Sequence, residues 1–235
     1  MLQLSVFGGL TLAEDDRVLG PVMEHRKAML LLAILAAGSE AGVARVKLLA
    51  LLWGESDEVR GRGALKQMLH TLRRMLGTPS LILGVAQLRL NPAVISSDLG
   101  GFLDALGRRD QAGAIPLYTG LFLDGVHLAG ANELEHWVDS KRARFQALYI
   151  EALETLVRVA ETSEDLLEAL RFWRLLRDAD PLNGRIRVGL MHALVRTGDR
   201  SGALREADLH TEQLRRELEV GPDPEVMSLR NRLQW

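Results

Sequence analysis

From Ser96 to its C-terminus the chain carries almost no strand signal. About 140 residues must therefore bury their apolar side chains by packing helix on helix, since each helix hides one apolar stripe. Helical spacing of apolar residues marks 102–108, 111–118, 133–162, 165–178, 185–196, 200–219 and 225–233, with Gly221-Pro222-Asp223-Pro224 as a hard stop before the last. A 34-residue recurrence lies inside this stretch: Asp165, Ala169 and Leu170 return as Asp199, Ala203 and Leu204. That is the tetratricopeptide period, one helical pair per unit. Asp180-Pro181 closes the first unit, and Gly198-Asp199 makes the turn inside the second.

The first part has a different texture. Leu2, Leu4 and Val6 alternate, Gly8-Gly9 follows, and Leu10 and Leu12 alternate again, which predicts a hairpin or small meander. Asp15-Asp16 predicts a turn and residues 17–19 a third short strand. Residues 23–37 form an apolar helix ending at Gly38. Residues 43–53 form a second, with Val43, Val46/Lys47, Leu49/Ala50 and Trp53 at helical spacing and Gly54 as its stop. Glu55-Ser56-Asp57-Glu58 is an acidic turn before a third helix, which ends at Gly77-Thr78-Pro79. Residues 81–83 and 87–90 are short strands around Gly84. Strands, three helices and a hairpin are the parts of a winged helix-turn-helix. The expected fold is mainly α: a small strand-flanked winged helix-turn-helix over residues 1–98, then an all-α, tetratricopeptide-like helical repeat domain over 99–235.

The third helix carries the strongest chemical signal. Residues 59–76, VRGRGALKQMLHTLRRML, hold five Lys/Arg and no acidic residue. Leu65, Leu69, Leu72 and Leu76 recur at helical spacing and face a core, while Lys66, Gln67, His70 and Arg74 fall opposite. Such a helix suits the DNA major groove, with residues 64–76 as the reading segment. Amides and cations read base edges, and cations pair with phosphates. Lys66, Gln67 and His70 are placed for the groove floor, and Arg73 and Arg74 for the phosphates. Arg60 and Arg62, on the loop ahead of residue 64, reach backbone or a partner subunit. Arg45 and Lys47 start the second helix as further phosphate contacts, and Arg89 is the one cation of the hairpin. Trp53, Trp137 and Trp173 read as packing residues.

Charge supports a local rather than a global nucleic-acid signal. Net charge is −2, but residues 1–98 hold 11 basic against 9 acidic residues, while residues 99–235 hold 18 against 22. The absence of cysteine excludes disulfides, thiolate metal sites and a cysteine nucleophile, and fits a reducing, cytoplasmic compartment. The longest apolar run, residues 28–37, is about half a bilayer span, so no membrane partner is expected.

Catalytic signatures are missing. No GxxxxGK[ST], GxSxG or HExxH occurs, and Gly8-Gly9 does not continue into a dinucleotide fingerprint. His25, His70, His127, His136, His192 and His210 show no metal-ligand spacing, and Glu133-Glu135-His136-Asp139 reads as a solvated helix face. The chain is expected not to be an enzyme and to need neither metal nor cofactor. In the repeats, Glu151, Glu154, Arg158 and Glu161 would line one concave face and Arg185, His192 and Arg196 the next, a charged groove for a partner segment. A pure interaction scaffold, with a degenerate winged helix and partner-binding repeats, is the competing reading.

An ordered set of segments resembles one bacterial family. These are LQLSVFGGLTL from Leu2, RKAMLLLAILA from Arg26, LLALLWGESDEVRGR from Leu48, ALKQMLHTLRRML from Ala64, LYTGLFLDG from Leu117, ELEHWVDSKRARF from Glu133 and ELEVGPDPEV from Glu217. The chain resembles the antibiotic-regulatory-protein (SARP-type) activators, in which an OmpR-like winged helix precedes a bacterial transcriptional activation domain. The resemblance implies sequence-specific binding of double-stranded DNA by the first domain. It implies activation and self-association through the second, with a homodimer and contact to RNA polymerase or its sigma factor. Several positions depart from the family: Ala44 stands where a Ser or Thr commonly caps the second helix, Gly63-Ala64 replaces an Asn-Ser pair, and His70-Thr71 replaces a Ser-Arg pair ahead of Leu72.

Overall fold

The structure, a computed structural model, describes residues 1–15, 17–38, 41–54, 58–126 and 132–234. It divides into two compact units, Met1–Gln146 and Ala147–Trp235. In chain order the elements are β1 (Leu2–Ser5), β2 (Thr11–Glu14), β3 (Arg17–Val18), α1 (Gly20–Met23), α2 (Arg26–Ala36), β4 (Val43–Ala44), α3 (Arg45–Trp53) and α4 (Glu58–Met75). Next come β5 (Ile82–Leu83), β6 (Gln87–Leu90), β7 (Ile95–Ser97), α5 (Asp98–Gly107), α6 (Gln111–Ala114), a 3-10 turn at Ile115–Leu117 and α7 (Asn132–Thr162). Last are α8 (Leu166–Ala179), α9 (Gly184–Arg196), α10 (Arg200–Leu218) and α11 (Pro224–Gln234). The fold is mainly helical, a strand-flanked winged helix-turn-helix followed by an all-α repeat.

In the first unit, β3-β2-β1-β7 form one sheet and β4-β6-β5 another. The alternation at the N-terminus gives β1 its buried Leu2 and Leu4, paired antiparallel to β2. Every residue of α2 from Ala28 to Leu35 is buried, as an all-round apolar helix requires. That helix starts at Arg26 rather than at 23, because His25 takes a non-helical conformation and Met23 ends the separate turn α1. Val43 and Ala44 are strand rather than helix, and α3 buries Leu48, Leu51 and Leu52. The expected face through Val46 is wrong: Val46 is 72% exposed. Pairing of β4 with β6 sets the rotation of α3, which the helix's own apolar residues leave open. Ala44 is its N-cap and makes no side-chain bond. Of the expected acidic turn at 55–58, residues 55–57 lie outside the described residues, as do residue 16 of the turn at 15–16 and His127, while residue 58 opens α4 instead.

The sequence texture changes at residue 98, yet the compact unit continues to 146, and three contacts explain why. β7 lies parallel to β1, with Leu2 opposite Ile95 and Leu4 opposite Ser97. The Asp98 carboxylate accepts from the backbone N–H groups of Val6 (2.9 Å) and Phe7 (3.0 Å). Phe7 then packs edge-on against Phe102 (5.5 Å between centroids) and Phe145 (5.9 Å), and Phe122 joins Phe145 at 5.4 Å. Residues of 133–145 serve the same end. Arg142 donates to the carbonyls of Phe122 and Leu123, each at 2.8 Å. Lys141 donates to Ala37 O at 3.3 Å, where a cation suits the carbonyl end of α2; burial, with Arg144 and Lys47 adding to it, pulls its ammonium below the ordinary lysine value.

The second unit shows the repeat. Asp165 caps α8 by accepting from Glu168 N (3.0 Å), and Asp199 caps α10 by accepting from Gly202 N (2.7 Å). The recurring Ala169 and Ala203 are both buried. α9 packs on α8, α10 and α11, around Leu190, Met191, Leu194, Ala207 and Val226. Trp173 is half-buried, as a packing residue should be, and its indole N–H donates to Glu161 at 3.1 Å.

Candidate nucleic-acid interface

α4 is amphipathic as expected. Leu65, Leu69 and Leu72 are buried, while Leu76, beyond the helix end, is half-exposed. Lys66, Gln67, His70 and Arg74 all stand exposed on the other side. The helix begins at Glu58, so Arg60 and Arg62 sit in its first two turns rather than on a preceding loop. Both are exposed. The reason is packing: Gly61 is buried, and a methyl there would lie 3.5 Å from a Leu49 methyl and 3.6 Å from Trp53 Cβ on α3. Burial of this turn against α3 offsets the poor helix propensity of its glycines. Gly63 faces open space, leaving a gap in the exposed face. Trp53 itself is half-buried with Lys27 Nζ 5.4 Å above its ring.

The remaining cations divide. Lys47 on α3 and Arg89 on β6 are exposed. Arg45 is half-buried and donates through Nε to the carbonyl of Val85 at the hairpin tip. Arg73 is also half-buried; its Nη2 donates to Ile82 O at 3.0 Å. Its Nε is buried with no hydrogen-bond partner among the described residues. The hairpin turns at Gly84, whose φ of +93° and whose missing Cβ, which would stand 1.9 Å from Gln87 O, exclude any other residue.

Of the proposed groove residues in the repeats, the fold brings Glu154 and Arg185 together as an ion pair. Arg158 donates to Thr155 at 3.1 Å on its own helix, and Glu151, His192 and Arg196 are exposed. Among the described residues no cluster is placed to hold a metal ion. Asp139 of the Glu133–Asp139 face pairs with Arg142 instead.

Sequence reasoning missed a buried polar cluster in the second unit. Arg187 is 2% exposed and His210 0%. Arg187 pairs with Glu206 and donates to Pro181 O (3.0 Å) and Gln213 (2.8 Å), and Glu206 also receives Arg177 at 2.8 Å. The signal was available: Ala203, Ala207, His210 and Leu214 fall on one helical stripe, so the histidine lies on the core face.

His210 is expected to make the second unit acid-sensitive. Its Nδ1 lies 3.3 Å from Pro181 O, and its Nε2 is buried with no partner among the described residues. Burial, reinforced by Arg187, pulls the imidazole below its ordinary value of 6.5, against the opposing pull of Pro181 O and Asp223. The unfolded chain then binds the proton more readily than the folded one. This contribution to stability is present above pH 6.5 and is lost as pH falls through the depressed value. The melting temperature should therefore drop between pH 7 and 5, and the drop should shrink in a His210→Gln protein; equal pH dependence in both would exclude His210 as the source.

The fold thus joins a winged helix-turn-helix to a helical repeat, the SARP-type order of domains. Residues 105–234 match the bacterial transcriptional activator domain, and the chain belongs to that family. It is similar to the regulatory protein AfsR of Streptomyces griseus, at 25% identity over 242 residues, covering 99% of this chain. The chain spans 24% of the length of that relative. Among solved structures it is similar to EmbR of Mycobacterium tuberculosis, determined in complex with a low affinity phosphopeptide. The TM-score is 0.65 and the identity 19%, covering 99% of this chain and 65% of the other. No helix of the described residues is long and apolar enough to cross a membrane.

Proposed function

We propose that this chain is a cytoplasmic, DNA-binding transcriptional activator. Residues 1–98 read double-stranded DNA, with residues 64–76 in the major groove. Residues 99–235 hold a homodimer together and contact RNA polymerase or its sigma factor. The observation that carries this reading is the exposed face of α4, Lys66, Gln67, His70 and Arg74, seated on buried Leu65, Leu69 and Leu72. A helix anchored by leucines whose exposed residues from Lys66 to Arg74 are cations and polar donors offers phosphate and base-edge contacts together.

Binding of the full chain to duplex DNA should weaken steeply with salt. With about 4–6 phosphate contacts per protomer, log affinity falls against log salt with a slope of about −4 to −5. Gln67→Ala should cost about 1–3 kcal/mol on a preferred site and little on random duplex, since a bidentate amide contact discriminates by that amount. Equal weakening on both duplexes would deny Gln67 a reading role, and salt-independent association would remove the DNA reading itself.

One observation favours the competing scaffold reading. The hairpin tip is apolar, with Val85 82% exposed, and Arg89 is the hairpin's one cation. Under that reading the repeat surface carrying Glu151, Glu154, Arg158, Arg185, His192 and Arg196 binds a charged segment of a partner protein, and duplex DNA is not retained at physiological salt.

A further inference from the structure

We propose that Arg45 and Arg73 are positioning residues, which fix the β5–β6 hairpin to the helices so that hairpin and α4 meet DNA as one body. This inference rests on the DNA-binding reading above. Charge and position alone make both arginines candidates for phosphate contacts. Their donor atoms point elsewhere.

The two arginines hold opposite ends of the hairpin. Arg45, the first residue of α3, donates through Nε to Val85 O, and its backbone N–H donates to Ala86 O at 3.1 Å. Both acceptors lie at the tip. Arg73, in the last turn of α4, donates through Nη2 to Ile82 O at 3.0 Å, at the base. Its buried Nε shows how far the guanidinium is withdrawn from solvent. Arg74, its neighbour, stays exposed and takes the outward position.

The hairpin needs such holding. β5 and β6 pair over two residue pairs, Ile82 with Leu90 and Leu83 with Arg89, and β4 adds two more to β6. β4 and the buried Ile82 and Leu88 hold the base, but the tip at Val85 and Ala86 extends beyond the paired residues and is exposed, and an unsupported two-stranded ribbon is marginal in water. A carbonyl accepting from a guanidinium makes a stronger bond than one accepting from a neutral amide. With both bonds in place, Arg89 on β6 keeps a fixed offset from the α4 side chains. Contacts held at a fixed offset bind without first paying the entropy of ordering the hairpin.

The experiment is a double-mutant cycle on the full chain, read by DNA affinity and by amide hydrogen exchange. In free protein, Arg45→Ala and Arg73→Ala should each speed exchange across the 82–90 hairpin about tenfold while α2 exchange is unchanged. On DNA, Arg89→Ala should lower affinity about fivefold to tenfold in the parent protein but less than twofold in the Arg73→Ala background. An unanchored hairpin no longer presents that cation, so the two losses fail to multiply. Multiplying losses, with hairpin exchange unaltered, would show two independent phosphate contacts and overturn the proposal. Arg45 is the fold-safe arm, because its bond to Val85 O lies at the exposed hairpin tip, and the same cycle with Arg45→Ala decides the matter should Arg73→Ala fail to fold. If the parent chain binds no duplex, the DNA reading fails, while unchanged hairpin exchange in both variants would still refute the anchoring itself.

Discussion

A Glu206→Ala protein is expected to lose about 3–5 kcal/mol of stability in the second unit, the range for a buried ion pair stripped of one partner. Glu206 is the shared acceptor of Arg187 and Arg177. Arg187 is 2% exposed and cannot turn to water without leaving the core. Burial pulls its guanidinium below the ordinary arginine value, with Glu206 opposing that pull; even so, arginine does not give up its proton under ordinary conditions. Removing the carboxylate therefore leaves a buried cation with Arg177 and the half-buried environment of Pro181 around it. Hydrogen exchange of α9 and α10 amides measures the loss where it arises. A change below 1 kcal/mol would mean that water reaches the guanidinium. The paired replacement Arg187→Met with Glu206→Leu should be far milder, since apolar isosteres of a buried pair often leave stability unchanged or raise it.

Asp98→Ala should be nearly as damaging, at about 3–5 kcal/mol, but in the first unit. Val6 is 0% exposed and Phe7 3%, and the Asp98 carboxylate accepts from both of their N–H groups. Each buried donor left unpaired costs about 1–3 kcal/mol, and more when the lost acceptor was charged. Phe7 also carries the aromatic contacts to Phe102 and Phe145, so loosening β1 releases them. Asp98→Asn keeps one acceptor oxygen and should cost less than half as much; equal losses would point to charge rather than hydrogen bonding. Burial raises the Asp98 carboxyl above its ordinary 3.8, against the opposing N–H groups of Phe7 and Val6. The folded chain thus holds that proton more tightly. This contribution is complete below 3.8 and is lost as pH rises through the raised value.

Much of the fold was legible because local periodicity and capping carry it. α8, α9 and α10 begin within one or two residues of their expected starts, since Asp165, Asn183 and Asp199 each accept from the N–H three residues on. The leucine stripe of α4 predicted the burial of Leu65, Leu69 and Leu72 and the exposure of Lys66, Gln67, His70 and Arg74, but not that Leu76 lies half-exposed past the helix end. β7 was missed. Ile95-Ser96-Ser97 has too short a pattern to announce a strand, and it exists because β1 offers an unpaired edge beside it. The face of α3 was also misread, since Leu48, Leu49, Leu51 and Leu52 allow more than one apolar stripe.

By itself the sequence determined the elements, their order, the 34-residue repeat and the cationic face of α4. The elements and the cationic face rest on interactions within a few residues along the chain, and the repeat on one such local pattern recurring 34 residues on. Tertiary structure alone decided which cations remain outward. Arg74 and Arg73 are adjacent and chemically identical, yet one is exposed and the other donates to Ile82 O. It likewise decided that Asp98 serves Val6 and Phe7, more than 90 residues away in the chain. The physical reason is that a buried N–H or carbonyl must find a partner wherever the fold brings one, and local sequence pattern does not record where that will be.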